Sequence, residues 1–170
     1  MRTDQPLCGA ILEKVDEQIE RTSHLIALLP DGGAQWMPQA PGSWPVEMLL
    51  GHLLDCLAGI CAALAAAEPV RLAHFRALRE LPVNHACSAA EAIERIASYR
   101  DHIDEGFGVL TDEDLARLIS TVFVPRGELL MTLLLGNLEH LINHKHELFT
   151  CLKQMGAQVN TGDLYRFRVE

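Results

Sequence analysis

Apolar residues recur at helical spacing along four long stretches of the chain. The first runs from Leu7 to Leu29, with Ile11, Val15, Ile19 and Ile26 near one face. The second is predicted to start between Ser43 and Pro45, where Ser and Pro suit a first turn and Glu47 suits the positive helix end, and to stop before Pro69. The third spans Ser88 to Phe107, opened by a Ser88/Glu91 capping-box pattern. The fourth is predicted from Arg126 to Gly156, a length of roughly 45 Å at helical rise. Between them lie the Pro- and Gly-rich loop LPDGGAQWMPQAPGSW, a shorter helix over Arg71 to Arg79, the segment DEDLARLI and the strand-like STVFVP. The polar tail TGDLYRFRVE is expected to pack on the surface. No repeat or long linker divides the chain, so residues 1–170 read as one all-α domain, a four-helix bundle.

Composition narrows the function classes. Aromatics make up 5% of residues while Leu and Ala are abundant, a balance that favours helix over sheet. The net charge of −9 argues against nucleic acid or an anionic membrane as the main partner. No export signal opens the sequence, and the apolar stretch MLLGHLLDCLAGICAALAAA carries His52 and Asp55, which suits a buried helix better than a membrane span. The five cysteines, Cys8, Cys56, Cys61, Cys87 and Cys151, are odd in number and include no C-x-x-C pair. A disulfide framework or cysteine zinc site is not expected, and a reducing cytoplasm fits.

The candidate chemistry lies in NLEHLINHKHELF, which holds His140, His144 and His146. At 100° per residue, His144 lies about 40° from His140, beside Leu133, Asn137 and Cys151, at one edge of the leucine-rich arc. His146 falls at about 240°, off that arc. The i, i+4 pair can turn two ring nitrogens toward one ion, but H-x-x-x-H alone does not separate that from two independently bonded histidines. On the second helix His52 lies within an apolar arc with Met48, Gly59, Ala63 and Leu49. Three inward-facing imidazoles are costly to bury singly, and a shared divalent metal would satisfy all three. Three protein ligands leave at least one position open, where a water or thiol could ionise. Cys56, one turn after His52, could reach the same ion, although a small buried residue is the simpler reading. HELFT lacks a zincin's second histidine, and no Glu-x-x-His pair suggests di-iron.

With these residues in place, the chain resembles the DinB/YfiT-like superfamily of damage-inducible four-helix-bundle metalloenzymes. APGSWPVEMLLGHLLD resembles the family's entry into the second helix, HLINHKHELFTCLKQMG its helix-four histidine motif, and TGDLYRF its Asp-Leu-Tyr ending. The resemblance implies a crossover connection, a metal triad at His52, His140 and His144, nickel or zinc as the usual ion, and a homodimer. It also implies a small-molecule substrate and a low-molecular-weight thiol as cosubstrate, since relatives include thiol-dependent transferases and isomerases. Lys145, His146 and Glu147 stand where the family commonly has Arg, Gly and Gln. Glu147 is placed either to orient a ligand or act on bound water, or simply as a solvated helix residue. No catalytic side chain beyond the metal set is identified. Two function classes follow: a metal-dependent transferase or hydrolase, and a non-catalytic, stress-linked metal-binding or sensor bundle. Arg71, Arg76, Arg79 and Arg126 are candidates for anion binding with solvated surface arginines as the default; His24, His74, His85 and His102 read as surface or capping residues; Trp36 and Trp44 read as packing over bundle ends or walling a pocket near His52.

Overall fold

The computed structural model describes residues 4–39, 42–121 and 124–165. Four long helices form as the apolar spacing predicts: α1 (Pro6–Ala27), α2 (Val46–Ala67), α3 (Ala89–Val109) and α4 (Leu130–Gln154), followed by one turn, α5 (Thr161–Leu164). Proline sits in the first turn of α1, where its missing N–H is not needed. The carboxylate of Asp112, far along the chain, accepts from the Leu7 and Cys8 amides at 3.0 and 2.9 Å and so serves the free donors of that helix end. Ser88 caps α3 by accepting from the Glu91 amide at 3.1 Å, while the Glu91 carboxylate turns to His85 instead of closing a reciprocal box.

The most extensive packing is α2 on α4 and α2 on α3, with α1 on the other side of the same α3 and α4. Helices α1 and α2 are therefore diagonal, as are α3 and α4, and the connections α1–α2 and α3–α4 are crossovers. The predicted inward residues Val15, Ile19 and Ile26 meet Leu130, Leu134, Leu141, Leu148 and Leu152 in one core. Helix α2 is long and apolar enough to cross a membrane by length and composition, but most of it is buried in the bundle, the pattern of a core helix. All five cysteines are free and buried.

Four sequence expectations shift. The fourth helix begins at Leu130 rather than Arg126, because Glu128–Leu129 (β2) pairs antiparallel with Leu118–Ile119 (β1). Gly127 turns that hairpin at φ 85°, a conformation outside any helix. The strand lies just ahead of the stretch STVFVP, whose Val122 and Phe123 are outside the described residues. The short helix at 71–79 is instead a 3₁₀ segment, Ala73–Glu80; Leu72, Phe75, Leu78 and Leu81 recur every third residue, which aligns them in a helix of three residues per turn. Of the predicted surface tail, the first four residues form α5 with Leu164 buried, and residues 166–170 lie outside the described residues.

Two glycines set how closely other elements approach α2. A Cβ on Gly51 would run into the backbone carbonyl of His85, so the loop after the 3₁₀ segment lies directly on the helix. A Cβ on Gly59 would occupy the place of the Asn137 side-chain oxygen, so α4 seats tightly one or two turns below His52. Lys145 of α4 is the one cation among the described residues whose side chain is almost fully buried, at 3% exposure. Its Nζ donates to Gln18 Oε1 of α1 at 2.7 Å and to the Leu164 carbonyl of α5 at 3.0 Å. Burial holds this ammonium below the ordinary lysine range.

Candidate metal centre

Helix α2 presents His52 toward α4, and α4 presents His140 and His144 one turn apart toward α2. The His52 and His140 Nε2 atoms stand 3.2 Å apart. Ring centroids are separated by 4.9 Å for His52 and His140, 4.5 Å for His52 and His144, and 4.7 Å for His140 and His144. One candidate ligand nitrogen from each ring lies within 4.8 Å of the others. Two nitrogens bound tetrahedrally to one ion at 2.0–2.1 Å would stand about 3.3 Å apart, so the closest pair already has ligand spacing. The three residues thus fit a divalent ion in number, donor type and spacing. His146 is exposed beside Phe149, outside the cluster, as its position on the helix predicts.

The site is asymmetric in exposure. His52 and His144 are about one-fifth exposed, at 18% and 21% of their side chains, and His140 opens to solvent. Desolvation, followed by the neighbouring His144 and His52, pushes the His140 pKa below the usual imidazole value against the pull of Asp55. The neutral, ligand-competent form is thereby favoured.

Two carboxylates stand behind the rings. Glu147 Oε2 lies 3.0 Å from His144 Nδ1. With the proton on Nδ1, that bond leaves Nε2 as the free donor toward the cluster. Glu147 is half exposed, so it is both a solvated helix residue and a ring-orienting one. Asp55 Oδ2 lies 3.5 Å from His52 Nδ1, an ion-pair distance at which no hydrogen bond is formed. Asp55 is itself fixed by the Asn84 amide at 2.9 Å. Asn84 adopts φ 47°, unusual for a residue with a Cβ, and this conformation turns its N–H toward the carboxylate. The sequence reading passed over Asp55 as a polar exception in an apolar run. Its i, i+3 spacing from His52 was the available signal. An Asp55→Asn variant keeps the shape and loses the charge; its metal affinity is expected to fall roughly 10- to 100-fold with helix content unchanged, measured by competition with a chromophoric chelator.

The remaining candidates separate cleanly. Cys56 donates to the His52 carbonyl at 3.3 Å, and burial, with Asp55 adding to it, pushes its thiol up to about 12. It belongs to the helix packing and lies outside the three-histidine cluster. Trp44 stands edge-on to His52 at 5.4 Å and walls the site, whereas Trp36 packs against the core. His24 pairs with Asp163, His74 with Glu105, and His102 bonds the Ser98 carbonyl. His85 departs from the surface reading: it is half-buried and shares close quarters with Cys87 and Glu91. There Arg95 Nη1 lies 3.0 Å from His85 Nε2, so a guanidinium already fills the place a second ion would need. Arg71 donates to the Val109 carbonyl at the end of α3.

The sequence model of the DinB superfamily matches residues 14–148. A crystal structure of a DinB-like protein, YjoA of Bacillus subtilis, is similar in fold with a TM-score of 0.67. The two share 19% identity over 88% of this chain and 94% of that one. No curated protein matches the chain.

Proposed function

The chain belongs to the DinB superfamily, and from that footing we propose that it is a metal-dependent enzyme whose divalent ion is held by His52, His140 and His144. The observation that carries this reading is the convergence of three imidazoles from two helices far apart in sequence, each able to offer one nitrogen to a common point. Nickel and zinc suit such a donor set. A bound ion would supply Lewis acidity at an open coordination position, lowering the pKa of a thiol or water that reaches it.

The protein's own part is positioning. Glu147 holds the proton on His144 Nδ1, so that ring presents Nε2, and the Asp55 carboxylate stands 3.5 Å from His52 Nδ1, close enough to favour a proton there. The exposed His140 edge is the side from which a substrate enters, with Trp44 as one wall. Cys56, one turn after His52, and Cys61, farther along α2, are buried, bonded to backbone carbonyls and pushed up to about 12 by that burial, so neither is suited to act as a thiolate near neutral pH. On this reading the nucleophile therefore comes from outside the chain. This supports a low-molecular-weight thiol attacking an electrophilic small molecule, with attack by water as the hydrolytic form of the same reaction. A cytoplasmic setting, where such thiols are abundant, and a homodimer complete the proposal.

The test is turnover of electrophiles with a panel of thiols, with and without chelator. Metal-dependent conjugation with one thiol is expected. Stoichiometric metal with no turnover across thiols and water would favour the sensor reading. Metal binding should also weaken as pH falls from 8 to 5, because protons compete for the imidazoles. The depressed His140 pKa keeps that ring neutral farther into the acid range than an ordinary imidazole. Titration calorimetry across that range, with proton release counted in two buffers, checks the direction.

A further inference from the structure

A second feature adjoins the histidines. One face of α2 is built from small residues, Ala58, Gly59, Ala62, Ala65 and Ala66, and the segment after the helix folds back over it. Together they leave a trench of about 820 Å³ that begins at His52 and Asp55 and runs past Leu72 and Phe75. From His52 to Ala66 the helix advances roughly 21 Å. That is room for one elongated small molecule. The walls are largely apolar, since the alanine methyls face Phe75, Leu78 and Val83 across the gap.

Charge is distributed unevenly along this trench. Asp55 stands at the histidine end. The covering segment runs antiparallel to α2, from Leu72, whose amide bonds the Glu68 carbonyl, to Asn84, whose amide bonds Asp55. Arg76 and Arg79 therefore fall between the ends, away from Asp55, and both line the trench. Both are exposed, and neither has a carboxylate partner among the described residues. An anion is repelled at one end and attracted farther along. Cys61, at the floor, is held as a neutral thiol by burial and adds no charge.

We propose that the trench binds an amphiphilic carboxylate, an aliphatic or aryl body with one terminal anion, lying along α2 with its carboxylate between Arg76 and Arg79. That its far end reaches the histidines as a reacting group rests on the metalloenzyme reading; the binding itself does not. A compact zwitterion would waste the apolar walls, and a neutral hydrocarbon would leave the arginines unused.

The experiment uses decanoate and decanol as probes, titrated by calorimetry into the full chain, metal-loaded and after chelation. Decanoate is expected to saturate at one per chain in both forms, with decanol weaker by roughly tenfold, the scale of a charge-assisted contact. The Arg76→Ala/Arg79→Ala double variant changes two exposed side chains. It should bring decanoate down to the affinity of decanol and leave decanol unchanged. Ala62→Trp, at an exposed position on the trench wall, should block both probes while keeping the helical spectrum. Absence of saturable decanoate binding, equal affinity for both probes, or an unchanged double variant would overturn the proposal. So would unaltered probe binding in the Ala62→Trp variant, which would put the probes elsewhere on the molecule. If the chain takes up no metal yet binds decanoate through the two arginines, the trench stands and the metalloenzyme reading fails; metal uptake without decanoate binding is the reverse.

Discussion

A His144→Ala variant is expected to lose its divalent ion while keeping its fold. His144 supplies one of three nitrogens that fall within 4.8 Å of one another, and among the described residues no fourth donor belongs to that cluster. Cys56 is turned to a backbone carbonyl and keeps its proton. If site formation is worth about 10–16 kcal/mol, as for structural zinc, one ligand in three is worth roughly 4 kcal/mol, or about a thousandfold in affinity. The fold is spared because His144 lies at the edge of the core, about one-fifth exposed, while the leucine stripe of α4 is untouched. The measurement pairs metal content per chain after dialysis with the far-ultraviolet circular dichroism spectrum. A variant that keeps stoichiometric metal at wild-type affinity would remove His144 from the ligand set, and one that unfolds would assign the ion a structural part.

The largest effect on stability is expected from Gly51→Ala. The added methyl would meet the main-chain carbonyl of His85, which cannot rotate aside as a side chain can. The loop is tied down on both sides of that point, by the Cys87 amide on the Glu47 carbonyl at 3.0 Å and by the Asn84 amide on Asp55 at 2.9 Å. To accommodate the methyl, the loop must lift and release those bonds, or the helix must bend. Overpacking of this kind costs about 3 kcal/mol at the upper end of its usual range. In a domain of this size that is a fall in Tm of roughly 6–12 °C, read by thermal melting with and without metal. Because the lifted loop also releases Asp55 from Asn84, metal affinity should drop in parallel. Glycine at position 59, facing a side-chain amide, leaves more room for adjustment, so Gly59→Ala is expected to cost less.

Much of the fold and the centre of the site were legible in the sequence, for a definite reason. Angular position on a helix follows from residue number alone, so His140 and His144 could be placed on one edge, His146 off it and His52 on an apolar face before any coordinates. The meeting of α2 with α4 was not contained in that periodicity; it was inferred from the cost of burying three imidazoles singly, and the resemblance to a family implied the same triad. What escaped depends on contacts between distant segments. A two-residue strand at Glu128–Leu129 has no periodicity to detect, and only its pairing with Leu118–Ile119 delays the start of α4. Asp55 gained its role from Asn84, 29 residues away, in a backbone conformation that no local pattern announces. Lys145 read only as a departure from the family motif, whereas its buried bonds to Gln18 and Leu164 tie α4 to α1 and α5.

That lysine couples the one-turn helix α5 to the histidine-bearing stretch of α4. Its ammonium is sheltered by a carbonyl from residue 164, and it sits next to His144 in the sequence. Loosening α5 would leave a buried cation short of one of its two acceptors, so the position of His144 answers to a segment that never touches the imidazoles.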